Sequence, residues 1–573
     1  MPSLVVPRFA SHPVPPPRSR RWRFLTIAAL ASLLPFGFTA ANAQGTLSHT
    51  DDAIPIPGGW VRLLVGNAWE RYDSRFGTNG TIRGLGDELS TDSLGPRQLP
   101  NLAPIEGALQ TLTQNPAQRL TFGRLEVRSD ARIVTTPIAL EYGITRRLSF
   151  GVVVPVVQTR RSAQARVNQR AKGDTTKTSN VGIVPEVQRN AQATANRAFV
   201  TSLTQAATSL TGLLSRCAQN SAAAECNPVR GKEADAAAAA RRATDFAGAV
   251  AVAYGIDATK AVVAPLANSA LATTIDSQRA ALQTQLATYL PGTTLAVLPT
   301  VSTEFSYIDL QGRVDSPGLL QGALGGGLDS IATTERISIG DVELRARVLV
   351  LEHAQHDSLP PMRGLQYRLG VSGMVRFATS RPDSALDLLD ISTGEGAGVE
   401  VGSALDLGSG RFGATIAGRY ATFFARTVTA PLVGYPIAGF PYPTFGEVSR
   451  AAGKVLGIDV TPRYFIAEWL AFEGLYGYEH TGAPTFTGAA ASPCSACVPL
   501  PNSVLPTAFT VQRVGAGLRF STVDSFLRRR ARYPIELSFR HLETITGDAG
   551  APKQFRDQIQ LRLYYRIRGS EPR

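Results

Sequence analysis

Six histidines and four cysteines are the residues of this 573-residue chain that could do nucleophilic or metal chemistry, and their spacing supports neither. His353 and His356 form an HxxH pair, but the glutamate of HExxH is missing and the surrounding residues do not read as a helix, so no helical face presents two ligands. His480 follows Glu479 and His541 precedes Glu543, yet neither has a serine at motif spacing and no GxSxG occurs. The cysteines fall in two close pairs, Cys217 with Cys226 and Cys494 with Cys497, and no second CxxC or nearby histidine pair completes a zinc set. In an oxidising compartment each pair is expected to close as a disulfide. Neither GLGDEL (Gly84 to Leu89) nor Gly325 to Gly327 is followed by Lys-Ser or Lys-Thr, so neither is a phosphate loop. On these residues the chain is expected to be no enzyme and to use no cofactor and no metal.

The chemistry left to it is electrostatic. Charged residues recur at every second position of apolar segments. GDVELRARVLV (Gly340 to Val350) sets Asp341, Glu343, Arg345 and Arg347 between Val342, Leu344, Ala346 and Val348, which is a strand with one wet and one greasy face. The wet positions of such segments are Arg128, Arg132, Arg345, Arg347, Arg368, Arg376, Arg419, Arg513, Arg519, Arg540, Arg562 and Arg566. Asp130, Asp341, Glu343, Glu400, Asp406, Glu473 and Glu536 accompany them. All are expected to line the lumen of a barrel. A basic lumen would favour anions; alternatively, in a narrow barrel, the charges pair across strands and close it.

The elements that must position these residues are short alternating strands. They are expected near 60–70, 122–142, 148–161, 338–352, 364–378, 398–407, 411–426, 455–466, 469–481, 509–521, 533–543 and 557–567, and the gaps between them alternate short and long. An even count, short turns on one side and long loops on the other is the pattern of a bacterial transmembrane barrel. The fold expected is therefore an all-β, antiparallel transmembrane barrel of about 12 strands carrying a large α-helical insertion.

The remaining segments fill in the organisation. Arg18, Arg20, Arg21 and Arg23 precede the apolar run Phe24 to Phe38, and Ala41-Asn42-Ala43 follows, so residues 1–43 read as a signal peptide cut near Ala43. Its removal lowers the formal net charge from +13 to +8. No later stretch reaches the ~20 apolar residues of a membrane helix. Residues 44–161 then hold the first strands and a long external loop over 71–121 with little fixed structure; 162–337 are a mostly helical insertion; 338–567 hold the remaining strands; 568–573 form a tail. Within the insertion Phe199, Leu203, Ala206, Leu210 and Leu213 recur at helical spacing, and Cys217 with Cys226 is expected to pin the turn before a second helix over 232–254. This part reads as a cap packed on itself, as a plug in the lumen, or as a partner-binding hairpin.

The segments YGITRRLSFGVVVPVV (Tyr142 to Val157), GDVELRARVLV and the terminal stretch Pro534 to Ile567 resemble Gram-negative outer-membrane transporter-like barrels, of the broad group that includes the phenol-degradation meta-pathway barrel proteins. The resemblance implies an outer-membrane barrel that passes small, often hydrophobic or aromatic, compounds. The function expected is a passive channel or transporter for small solutes, with a non-transporting barrel that displays its helical module as the alternative. The partners expected are outer-membrane lipid, lipopolysaccharide, the barrel assembly machinery and a small solute. Nucleic acid is not expected, because the arginines are spread along strands of an exported chain.

Overall fold

The computed structural model describes residues 53–77, 80–169, 178–313, 316–353, 362–382, 391, 393–431, 445–487, 508–548 and 550–567. The expected signal peptide, the tail after Ile567, His356 and the Cys494–Cys497 pair lie outside them. One antiparallel sheet dominates. Its strands are β1 (Trp60–Tyr72), β2 (Leu125–Gly143), β3 (Leu148–Val167), β4 (Thr334–Ile339 and Val342–His353), β5 (Met362–Phe377) and β6 (Gly398–Gly410). They continue with β7 (Phe412–Phe423), β8 (Val455–Ala467), β9 (Leu470–Thr481), β10 (Phe509–Ser521), β11 (Ile535–Gly547) and β12 (Phe555–Arg566). Both pieces of β4 pair in line with β3, Ile339 opposite Val156 and Glu343 opposite Val153, so the break at Gly340 and Asp341 is a kink in one strand. Each strand pairs with its sequence neighbour, and β12 returns to β1 with Trp60 opposite Arg566 and Arg71 opposite Phe555. The sheet is a closed barrel of twelve strands, and all twelve segments read from alternation are in it.

The outward face carries the apolar residues. One row runs across seven strands in register, Leu563, Leu63, Leu140, Val152, Leu344, Val375 and Val399. Most of these side chains are more than a third exposed, and Leu140 is 51% exposed, which a protein in water would not sustain across seven adjacent strands. Exposed aromatics bound the belt on both sides, with Tyr142, Phe412, Tyr464 and Trp469 near the short turns and Trp69, Phe377 and Tyr420 near the long connections. An apolar band between aromatic girdles is the outer surface of a barrel that sits in lipid.

β2 and β3 outrun that belt. At 19 and 20 residues they are about twice the length a tilted strand needs to cross a bilayer. Near the short turns β2 turns Ile138, Leu140 and Tyr142 outward and Glu141 inward. Past Val134 the polarity of the two faces is exchanged: Leu125, Val127, Ala131 and Ile133 are buried inside, and Arg128 and Arg132 are exposed outside. This corrects the expectation for Arg128, Arg132 and the neighbouring Asp130, none of which lines the lumen. Beyond the bilayer the medium outside the wall is water and the medium inside is protein, so the same alternation serves the opposite assignment.

The inward apolar ends of β2 join a helical core. Helix α2 (Glu186–Gln219) packs on α3 (Glu233–Tyr254), a disulfide joins Cys217 to Cys226 between them with Cα atoms 5.6 Å apart, and α4 (Ala270–Tyr289) completes the group. Buried Phe199, Leu203, Leu210, Phe246, Val250, Leu282 and Leu286 share one cluster with Leu125 and Val127. So do Leu109 and Leu112 of α1 (Ala103–Thr113), with Leu89, Leu94, Leu102 and Leu120 around it. The stretch 71–121 is thus no loose loop but part of this core; its glycines and prolines punctuate a helix and tight turns. Strand also claims 162–167 and 334–337 from the expected insertion, because β3 and β4 go on pairing above the belt.

The belt makes a direct prediction. Ile138, outward on β2 midway between Tyr142 at one girdle and Val134, in register with Trp69, at the other, is the position to test. Ile138→Arg should cost about 2–4 kcal/mol, the penalty of an arginine near the middle of a bilayer, read as a lower midpoint of urea unfolding from vesicles. Arg128→Leu, on the same face of the same strand but above the belt, should stay within about 0.5 kcal/mol.

Candidate functional site

The lumen wall inside the belt is charged, and its charges are joined. Glu473 of β9 is fully buried and accepts from Arg463 Nε of β8 at 2.9 Å and from Arg540 Nε of β11 at 2.9 Å. Glu536 of β11 binds Arg519 of β10 and Arg562 of β12, each at 2.8 Å. Glu343 of β4 binds Arg376 of β5 at 3.0 Å and also its own strand neighbour Arg345. Glu479 of β9 meets Arg419 of β7 at 2.5 Å and Arg513 of β10 at 3.4 Å, and Glu400 of β6 lies 3.7 Å from Arg419. The pattern is one carboxylate held between two guanidinium groups, repeated around the wall.

Two of these links span three strands. Arg419 and Glu479 stand opposite the same residue of the strand between them, Gly457, and Arg540 and Glu473 both stand opposite Gly517. A Cβ on Gly457 would lie 2.6 Å from Arg419 Nε, and one on Gly517 would lie 2.9 Å from Arg540 Cγ. The glycines are where a long side chain lies flat over the intervening strand to reach its partner. Directly opposed pairs fill other positions: Arg62 with Glu141 at 2.5 Å and Arg556 with Glu70 at 3.3 Å.

The remaining candidates divide by place. Arg347 lines a cavity of about 70 Å³, together with Glu141, Arg345, Glu400, Arg419 and Asp459, which is room for a few waters. Arg368 pairs with Glu352 at 3.0 Å near the short-turn end, and Arg566 ends β12 opposite Trp60. Asp406 faces inward, where it accepts from Ala53 N at 2.7 Å. Asp341 sits at the kink of β4, where it accepts backbone N–H groups of Ser380 at 3.0 Å and Gly396 at 2.8 Å, so it anchors the connection between β5 and β6. None of the described histidines assembles a catalytic set: His353 stacks on Tyr367, His480 meets Thr510 Oγ1 at 3.1 Å, and His541 pairs with Asp557 at 2.7 Å on the outward face.

The segment before β1 also belongs to the site. Gly59 N bonds Gly143 O beside β1, and Ala53, buried, stacks its backbone on Gly370 of β5 and bonds Asp406 of β6. Residues 53–59 therefore cross the barrel from the β1 side to the β5–β6 side. Pro55 and Pro57 suit that path, because an extended strap inside a lumen has few partners for backbone N–H groups. Sequence reasoning missed this strap, for which IPIPGG was the available signal, and it missed Arg62, Glu70, Glu141, Arg463, Glu479 and Arg556 as lumen residues.

No known family's sequence model matches the chain, and no curated protein matches it either. The solved structures it is similar to are outer-membrane barrels. An outer membrane channel from Pseudomonas putida F1 aligns over 90% of this chain and 98% of its own, at 9% identity and a TM-score of 0.37. A Pseudomonas aeruginosa FadL homologue aligns over 93% and 99%, at 8% identity and a TM-score of 0.26. The Ralstonia pickettii toluene transporter TbuX does so over 93% and 99%, at 8% identity and a TM-score of 0.26.

The two-sided pairing of Glu473 sets the next expectation. Glu473→Gln should cost about 3–5 kcal/mol, since two buried guanidinium groups lose their counter-charge at once. Glu352→Gln, on a half-exposed pair, should cost about 1 kcal/mol or less. Urea titration of the refolded barrel followed by tryptophan fluorescence measures both.

Proposed function

We propose that this protein is a passive outer-membrane channel for small solutes in a Gram-negative bacterium, delivered after signal cleavage near Ala43 and folded by the barrel assembly machinery. The observation that carries this reading is the division of the wall into an apolar belt outside and a charged, water-accommodating lining inside. A barrel built only as a scaffold could fill its interior with apolar side chains; a polar interior is what a path for solutes requires. Selection would rest on the charged lining and on the strap of residues 53–59. At the inward positions arginines outnumber carboxylates, which supports a weak preference for anions, weakened further by the pairing of most arginines with a glutamate.

A second reading has its own support. The buried Arg–Glu links cross the lumen wall at several levels and the strap crosses the barrel, as expected of a closed barrel that displays its helical core to a partner.

Conductance in a planar bilayer separates the two. Three forms of the chain starting at Gln44 are compared: intact, lacking residues 44–57, and with 168–333 replaced by a short Gly-Ser link. Discrete steps are expected once the strap is gone, with anion permeability exceeding that of cations by a small factor. Silence from all three, with heat-modifiable gel mobility proving that each barrel has folded, would reject the channel and favour the scaffold.

A further inference from the structure

The outward rows change character at one level of the wall. Across β12, β1, β2, β3 and β4 the register sets Asp557, Trp69, Val134, Gln158 and Ile337 abreast. The next row toward the long connections is Phe555, Arg71, Arg132, Arg160 and Glu335. Three arginines thus stand side by side on adjacent strands, all outward and all exposed. Like charges in directly opposed positions weaken a ladder, so the row costs stability unless an anion sits against it. Its own carboxylates do little to offset this. Among the described residues Asp130 approaches Arg132 only to 3.9 Å, and Glu335 is engaged by Gln158 Nε2 at 2.8 Å.

The height of the row identifies the anion. Two residues of strand separate it from the row of Trp69, so it lies roughly 7 Å further along the strand than an aromatic of the interfacial girdle. That is the level of headgroup phosphates. Below it the same strands offer Val134, Val154, Ile138 and Leu140 to acyl chains, an apolar track interrupted by Thr136, which donates to Asn67 of β1. The row is at the end of the barrel that carries the long connections, which faces the outer leaflet.

We propose that Arg71, Arg132 and Arg160 form a docking site for the phosphorylated glucosamine headgroup of lipid A, the membrane-embedded part of lipopolysaccharide. The assignment rests on the outer-membrane reading above. Lipid A carries phosphate monoesters, each with more than one negative charge at neutral pH, and guanidinium groups bind such oxygens by paired hydrogen bonds. A phospholipid of the inner leaflet cannot reach this level, and a free phosphate ion would leave the apolar track unused.

The test uses the refolded chain from Gln44 in micelles and native mass spectrometry. Its probes are bisphosphorylated lipid A, dephosphorylated lipid A, phosphatidylglycerol and excess inorganic phosphate. Bisphosphorylated lipid A should be retained in preference to the other lipids and should resist inorganic phosphate. The triple variant Arg71→Gln, Arg132→Gln, Arg160→Gln should lose on the order of tenfold or more of that retention, since each arginine near an anionic surface contributes separately. The single variant Arg132→Gln should lose part of it; should the triple variant fail to fold, the single variant decides. Equal retention by wild type and a folded variant, indifference to the phosphates of lipid A, or full displacement by inorganic phosphate would each overturn the site. A barrel that binds lipid A but never conducts would overturn the channel and leave this site standing, and a conducting barrel without lipid A preference would do the reverse.

Discussion

Closure of the hydrogen-bond ladder between β1 and β12 is the constraint on which the rest of this molecule depends. Hydrocarbon offers no partner to a backbone N–H or C=O, so a sheet can lie in a bilayer only if it has no edge. Closure also gives every residue on a strand one of two fates. Side chains of one parity meet lipid and those of the other meet whatever fills the barrel. The row from Leu563 through Leu63 and Leu140 to Val399 is the first fate, seen in register across seven strands.

The second fate explains the Arg–Glu links. Arg540 and Arg562 are buried in the wall, and a guanidinium withdrawn from water is stable only against a carboxylate at hydrogen-bond distance. Closed geometry brings strands near enough for one glutamate to serve two arginines, as Glu473 serves Arg463 and Arg540. Where the partner lies two strands away, the strand between must have no side chain in the path. Gly457 and Gly517 meet that demand, so these glycines belong to the electrostatics of the lumen as much as to the geometry of the sheet.

The same parity rule, followed upward, accounts for the helical core. β2 and β3 leave the bilayer without leaving the sheet, and there the lipid outside is replaced by water. Their inward positions turn apolar: Leu125 and Val127 join the core that holds α1 to α4, and Ile133 packs below it with Tyr72, Ala131 and Val157. Their outward positions turn charged and place Arg132 directly above the belt. The arginine row is a consequence of strands that are longer than the membrane is thick.

The sequence by itself determined the strands, their number, the apolar belt and the helices around Cys217 and Cys226, because each of these depends on local periodicity, and a period of two or of 3.6 can be read without knowing any neighbour. Only the tertiary structure decided which parity faces inward at a given height, since Arg132 and Arg376 occupy identical alternating patterns and differ only in whether lipid or water lies outside. It decided the partners of Glu473 and Glu479 as well, which sit on other strands, two of them, Arg540 and Arg419, beyond an intervening glycine. It also decided that Ala53 reaches Asp406, 353 residues further along the chain. These are relations between distant segments, set by the closing of the barrel, and periodicity within a segment carries no record of what another segment brings beside it.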